Sequence, residues 1–168
     1  MNSNSKISPR VLALDPSTRG FGFVVLEGPY NLVEWGIKEV RTDKHTRSLQ
    51  RIGELIDTYQ PDVLVIEDMA DKECRRCPRV RELLRSVCQL ASEKKIKTRS
   101  VSCRKVRLVF FDAQAVNKHE IANVIVRQFP ELAPWQPPVR KTWMSEDSRT
   151  SIFDAAAFAL TFFHVIDR

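Results

Sequence analysis

The chain has 168 residues, 43% of them hydrophobic and 29% charged, which places it with soluble globular proteins of one domain. No uninterrupted apolar run reaches the roughly 20 residues that span a bilayer, so no membrane association is expected. The formal net charge of +6 suits a polyanionic partner without proving one.

The first stretch, "MNSNSKISPR" (1–10), is polar and lacks the apolar core of a signal peptide. Residues 1–9 therefore read as a short flexible leader. The protein is expected inside the cell, in the cytoplasm with the nucleoid if the source is bacterial. Residues 10–168 read as a single domain without internal repeats. "RVLALD" (10–15) is a buried strand that ends in a carboxylate. "PSTRG" turns into a second strand, "FGFVVLEG", and Gly28-Pro29 turns that one. A third strand spans 31–40, where Leu32, Val33 and Trp35 mix with polar neighbours, so the three form an antiparallel meander.

Leu49, Ile52, Leu55, Ile56 and Tyr59 recur at helical spacing, and Pro61 ends that helix. "DVLVIED" (62–68) is a short β-branched strand that again ends in carboxylates. A strand, helix and strand in succession imply parallel pairing. Val80, Leu83, Leu84, Val87 and Leu90 mark a helix over 78–94, and "KTRSVS" is a short strand. "CRKVRLVFF" reads as a short helix, and Asn117 caps a better one over 118–129. The proline-rich stretch 130–143 reads as a loop. The last helix is expected to begin at 145–148 and to run to about 165. It is almost wholly apolar from Ile152 to Phe163, apart from Asp154 and Thr161.

The four cysteines are Cys74, Cys77, Cys88 and Cys103. Inside a cell they should be mostly reduced. "CRRC" has half the spacing of a zinc site, but no second close pair follows. Cys88 reads as a core residue, and Cys74 and Cys77 as members of a basic loop. Basic residues cluster in "KECRRCPRVRELLR" (72–85) and "EKKIKTRSVSCRKVR" (93–107). These are either solvated faces or phosphate-binding surfaces.

Two buried strands that both end in a carboxylate point to a site, because α/β sheets bind ligands beyond their strand ends. Asp15 and Glu67 lie side by side there if their strands are neighbours. Two buried carboxylates raise each other's pKa, so they need a cation. An Arg or Lys is one solution, and a hard divalent ion such as Mg²⁺ is another. Asp154 would complete a three-carboxylate cluster. Each residue also has a structural reading: Asp15 as a turn cap, Glu67 as the partner of an arginine, Asp154 as a helix-start residue favoured by the dipole.

"LALDPSTRGFGFVVLEG", "LQRIGELIDTYQPDVLVIEDM", "NKHEIANVIVRQF" and "FDAAAFALTFFH" resemble, in order and approximate spacing, four segments of RuvC-type Holliday junction resolvases. Those proteins belong to the ribonuclease H-like superfamily. The resemblance implies an α/β fold with a five-stranded mixed sheet, strands one to three antiparallel, flanked by helices. It implies a homodimer that binds branched DNA at four-way junctions and cuts with two Mg²⁺ or Mn²⁺ ions per active site, without an organic cofactor. Asp15, Glu67 and Asp154 match the family's metal-binding carboxylates. Lys118 matches a basic position that stabilises phosphate charge. In the family the region after Glu67 helps form the dimer and the DNA-binding face. Arg75, Arg76, Arg79 and Arg81 are the candidates for backbone contacts there, with Arg104 and Lys105 in the second basic cluster.

The sequence departs from the family pattern at Ser151, where a second aspartate is usual. If the last helix starts early enough, Asp147 lies two turns before Asp154 on nearly the same face and replaces the missing metal ligand. Otherwise Ser145, Glu146 and Asp147 cap that helix. Three functions remain open on these residues: a junction-resolving endonuclease, a related nuclease for RNA or other branched nucleic acid, and a non-catalytic nucleic-acid-binding relative. Trp135 and Trp143 in the proline-rich loop are left open as site cover, base-stacking or core cover.

Overall fold

The structure, a computed structural model, describes residues 8–166, with side chains to residue 164. Most of the expected leader lies outside the described residues. The elements run β1 (Arg10–Ser17), β2 (Gly20–Glu27), β3 (Leu32–Glu39), α1 (Lys44–Tyr59), β4 (Val63–Glu67), α2 (Pro78–Glu93), β5 (Lys97–Val101), α3 (Cys103–Phe111), α4 (Lys118–Gln128), a 3₁₀ turn (Pro130–Trp135) and α5 (Thr150–Ile166). The five strands form one sheet in the order β3-β2-β1-β4-β5. β1, β2 and β3 pair antiparallel, whereas β4 pairs parallel with β1 and with β5.

Strand parity divides the core in two. Val11, Ala13, Val24, Leu26, Val63 and Val65 face α3, α4 and α5. Leu12, Leu14, Phe23, Val25, Leu64 and Ile66 face α1 and α2. Successive side chains alternate across a strand, so Asp15 and Glu67 fall on the same face as Ala13 and Val65. That face carries α5. β1 and β4 pair Val11 with Val63 and Ala13 with Val65. The pairing ends there, and two residues further on each strand Asp15 and Glu67 both bond Arg76.

α5 lies across β2, β1 and β4, which explains its composition. Ile152, Ala155 and Ala159 are fully buried, and Phe153, Phe158, Phe162 and Phe163 are nearly so. Each large side chain removed from water contributes about 1.5–3 kcal/mol, so this one helix is a major part of the core. Its close approach depends on Gly22. A Cβ there would collide with the Cβ and backbone of Ser151.

Local rules set several boundaries. Pro78 opens α2, where its missing N–H costs nothing. Asn117 caps α4 by accepting from the Glu120 N–H at 2.9 Å, while the Glu120 carboxylate accepts from the Val116 N–H at 2.7 Å. Lys118 thereby becomes the first residue of α4. Gln60 ends α1 in a left-handed cap just before Pro61.

Two expectations need correction. The stretch after Phe129 is not wholly irregular, because Pro130–Trp135 winds into a 3₁₀ turn around buried Leu132. The last helix starts at Thr150 rather than at 145–148. Asp147 bonds Arg149 through its side chain, and its carbonyl accepts from the Thr150 N–H at 3.0 Å. These contacts form the turn that precedes the helix.

Candidate active site

Asp15 lies near the end of β1 and Glu67 ends β4; they are only 4% and 5% exposed. Asp154 projects from the second turn of α5 and keeps 28% of its side chain exposed. Arg76, from the loop between β4 and α2, reaches into the gap between the strand ends. Its Nη2 donates to Asp15 Oδ1 and its Nε to Glu67 Oε2. Its Nη1 donates to the Pro16 carbonyl at 2.7 Å. The other Glu67 oxygen, Oε1, accepts from the Cys103 thiol at 3.0 Å. On the other side Lys118 donates to Asp154 Oδ2 at 3.1 Å and to Glu146 Oε1 at 2.6 Å. The site is thus a chain of alternating charge, with Arg76 serving Asp15 and Glu67 and Lys118 serving Asp154 and Glu146.

The electrostatics are dominated by burial. Burial, and next the charge of Asp154, push the Asp15 carboxyl up to about 7, although Arg76 and Lys118 pull it down. Burial also raises Asp154, against the pull of Lys118, and Glu146 adds to the rise. Burial works against the Arg76 charge, but Asp15 and Glu67 outweigh it and hold the guanidinium protonated. The same balance holds the Lys118 ammonium, with Asp154 and Glu146 outweighing its desolvation. Burial and Glu67 push the Cys103 thiol up to about 12.

These donors fit a hard divalent cation. They are carboxylate oxygens, and at Asp15 burial and the charge of Asp154 outweigh two cationic side chains. Among the described residues, however, no three acidic, His or Cys side chains converge as a ready-made cage. The guanidinium of Arg76 occupies the position between Asp15 and Glu67.

The structure joins Asp15 and Glu67 through Arg76 and Asp154 to Lys118. It does not bring in Asp147. That carboxylate is taken by Arg149, with Nε to Oδ1 at 2.9 Å and Nη2 to Oδ2 at 2.7 Å, and these bonds lower its pKa. The helical alignment with Asp154 fails because the helix begins after it. Glu146, its neighbour, is the acidic residue that joins the cluster. Ser151 is buried against Gly22. Arg76 was expected on the DNA backbone and instead bridges the two strand-end carboxylates. Arg81 was expected there as well, but it holds the loop, donating to the carbonyls of Met69, Cys74 and Arg76 at 2.9–3.0 Å. Arg75, Arg79, Arg104 and Lys105 are exposed. Arg104 and Lys105 follow Cys103 in the first turn of α3, beside Glu67. All four cysteines are free; Cys74 is buried, Cys77 is exposed and Cys88 is partly buried against the core. Trp143 is 77% exposed, with the Lys141 ammonium 5.1 Å from its ring centre.

Sequence reasoning gave Cys103 no role. The signal was available in strand spacing: Glu67 pairs with Val101, and Cys103 is two residues further on.

The sheet order, with three antiparallel strands, two parallel ones and carboxylates at the adjacent ends of β1 and β4, defines a ribonuclease H-like fold. RuvC structures share that fold with this chain. The chain superposes on Thermus thermophilus RuvC with a TM-score of 0.68 and 19% identity, over 94% of this chain and 96% of that one. T. thermophilus RuvC in complex with Holliday junction substrate matches with a TM-score of 0.67 and 16% identity, over 95% and 96%. The yeast mitochondrial Holliday junction resolvase Ydc2 matches with a TM-score of 0.64 and 16% identity, over 98% of this chain and 83% of that one. No family model matches the sequence, and no curated protein does. At these identities the likeness is one of fold.

Proposed function

We propose that this protein is a metal-dependent, structure-selective endodeoxyribonuclease that resolves four-way DNA junctions. The observation that carries the reading is the placement of buried Asp15 and Glu67 at adjacent strand ends, with Asp154 of α5 close enough to raise the Asp15 carboxyl, on one face of a RuvC-type fold.

Asp15, Glu67 and Asp154 supply the oxygens that would hold two Mg²⁺ or Mn²⁺ ions, and Glu146 is the nearest further donor. Bound ions of this kind activate water and stabilise the leaving oxygen of a phosphodiester. Lys118 sets a permanent cation beside Asp154, where it can accept phosphate charge as it develops. Arg75, Arg79, Arg104 and Lys105 form an exposed basic rim whose contacts position a DNA backbone without reading its sequence. Resolution of a four-way junction needs two symmetric incisions, and each chain holds one site. The acting form is therefore a two-fold symmetric homodimer. Exposed Leu108 and Phe111 on α3 supply apolar surface for such a contact. Among the described residues no helix is long and apolar enough to cross a membrane, and a junction nuclease works in the compartment that holds the DNA.

The test offers a labelled four-way junction, matched duplex and structured RNA with Mg²⁺ or Mn²⁺. Symmetric nicks in the junction alone support the reading. Preferential cutting of RNA refutes it in favour of a related ribonuclease H-like nuclease. Binding without cleavage refutes it in favour of a non-catalytic relative.

A further inference from the structure

Arg76 is the feature that the proposed chemistry leaves unused. Its guanidinium takes the place between two buried carboxylates where a cation is needed, and three of its nitrogens bond to acceptors at the ends of β1 and β4. It cannot leave by losing a proton, because arginine stays charged at any working pH. It leaves only if another cation replaces it or an anion draws it away. Both Glu67 oxygens are engaged, one by Arg76 and one by the Cys103 thiol. A metal ion therefore meets a Glu67 whose two oxygens are both bonded and an Asp15 with one oxygen bonded to Arg76.

The support around Arg76 differs from its side chain. Its backbone is pinned, because Arg81 Nε donates to the Arg76 carbonyl at 3.0 Å while the same guanidinium holds Met69 and Cys74. Glu73 in the same loop pairs with Arg107 of α3. The side chain itself is long, belongs to a loop rather than a helix or strand, and keeps 22% of its surface open to solvent. An anchored base with a long arm can swing without unfolding anything. Arg75 and Arg79, both exposed, flank it and would bring a phosphate backbone to this spot. A phosphate matches the planar fork of arginine as well as a carboxylate does.

We propose that Arg76 is a built-in counter-cation that competes with divalent metal for Asp15 and Glu67, and that DNA phosphate draws it out, so that metal loading is coupled to substrate binding. This inference rests on the reading of the site as a metal-dependent nuclease. The empty protein is then held in an inactive form, with Arg76 between the two strand-end carboxylates. Metal affinity without DNA is reduced by the fraction of molecules in which Arg76 has left. By reciprocity, metal tightens DNA binding by the factor with which DNA tightens metal binding.

The experiment titrates Mn²⁺ into the full chain by calorimetry. It uses wild type, Arg76→Gln and Arg76→Lys, with and without a four-way junction carrying phosphorothioate linkages around its branch point to slow cleavage. Melting temperature is followed in parallel over the same Mn²⁺ series. Wild type should bind Mn²⁺ weakly alone and about tenfold or more tightly with the junction. Arg76→Gln should bind tightly in both conditions, melt lower than wild type in EDTA and gain more from Mn²⁺. Should it not fold, Arg76→Lys decides: a compact ammonium cannot bridge both carboxylates as the planar fork does, so its metal affinity should also exceed wild type. Measurable but equal affinity for wild type and both variants without DNA overturns the proposal and leaves the nuclease reading intact. No Mn²⁺ binding by any of them, with or without the junction, overturns the metal-dependent reading and the proposal with it.

Discussion

Gly22→Ala tests whether the placement of Asp154 depends on the close approach of α5 to the sheet. The added Cβ would lie well inside contact distance of the Ser151 Cβ, carbonyl carbon and carbonyl oxygen, the last at 2.6 Å. Two of these atoms are backbone, so no rotamer relieves the clash. Ordinary contact needs about 3.5–4 Å between such atoms, so the first turn of α5 must retreat by roughly 1 Å. Overpacking of this kind costs about 1–3 kcal/mol. For a chain of 168 residues that is a fall in melting temperature of roughly 2–12 °C. The same retreat carries Asp154 away from Asp15, and a displacement of about 1 Å can cost on the order of 100-fold in rate. The assays are a thermal melt and single-turnover cleavage of a junction. Ser151→Gly added to Gly22→Ala should recover part of both losses, since the backbone clash remains. A Gly22→Ala protein that melts within 1 °C of wild type and cuts at the same rate would refute the reasoning.

Three further predictions follow from the charges and the thiols. The Asp15 pKa is about 7 when folded against an ordinary 3.8, so its carboxyl contributes stability below pH 3.8 that is lost as pH rises through 7. Asn in its place carries no such loss: in EDTA, Asp15→Asn should gain on wild type by on the order of 2–3 kcal/mol between pH 5 and pH 8, while junction cleavage is abolished. A stability difference that is flat across that range contradicts the burial of Asp15. The Cys103 thiol, raised to about 12, should stay protonated at pH 8 and react slowly with a disulfide reagent, whereas exposed Cys77 reacts fast. Cys77→Ser should remove the fast phase, and its persistence would show that another thiol is open. Replacing Arg104 and Lys105 together by Ala should lower junction affinity and reduce the slope of log affinity against log salt by about 2 in magnitude. An unchanged slope places the backbone elsewhere.

The two strand-end carboxylates were legible because they depend on local periodicity. A strand alternates every residue, so Ala13 facing one core forces Asp15 to that face, and Val65 does the same for Glu67. The apolar run of α5 likewise marked a helix buried on nearly every side, with Asp154 as its exception. For Asp147 the sequence left two readings open, ligand or helix-start residue, and a local contact of another kind separates them. The helix start depends on which N–H groups find a partner, and the turn built by Asp147 and Arg149 moved it to Thr150.

The amino-acid sequence by itself determined the element order, the parity of the strands and three of the carboxylates, because each follows from spacing within one segment or from an unbroken series of segments. Only the tertiary structure decided what neutralises them. Arg76 stands nine residues after Glu67 and 61 after Asp15, on a loop whose path is set by the carbonyl bonds of Arg81 and the Glu73–Arg107 pair. No periodicity reaches across such a loop. Lys118 with Glu146, and Cys103 with Glu67, are joined across 28 and 36 residues for the same reason. The carboxylates of the candidate site come from regular elements, and its counter-charges come from loops and helix starts that only the packed chain brings to them.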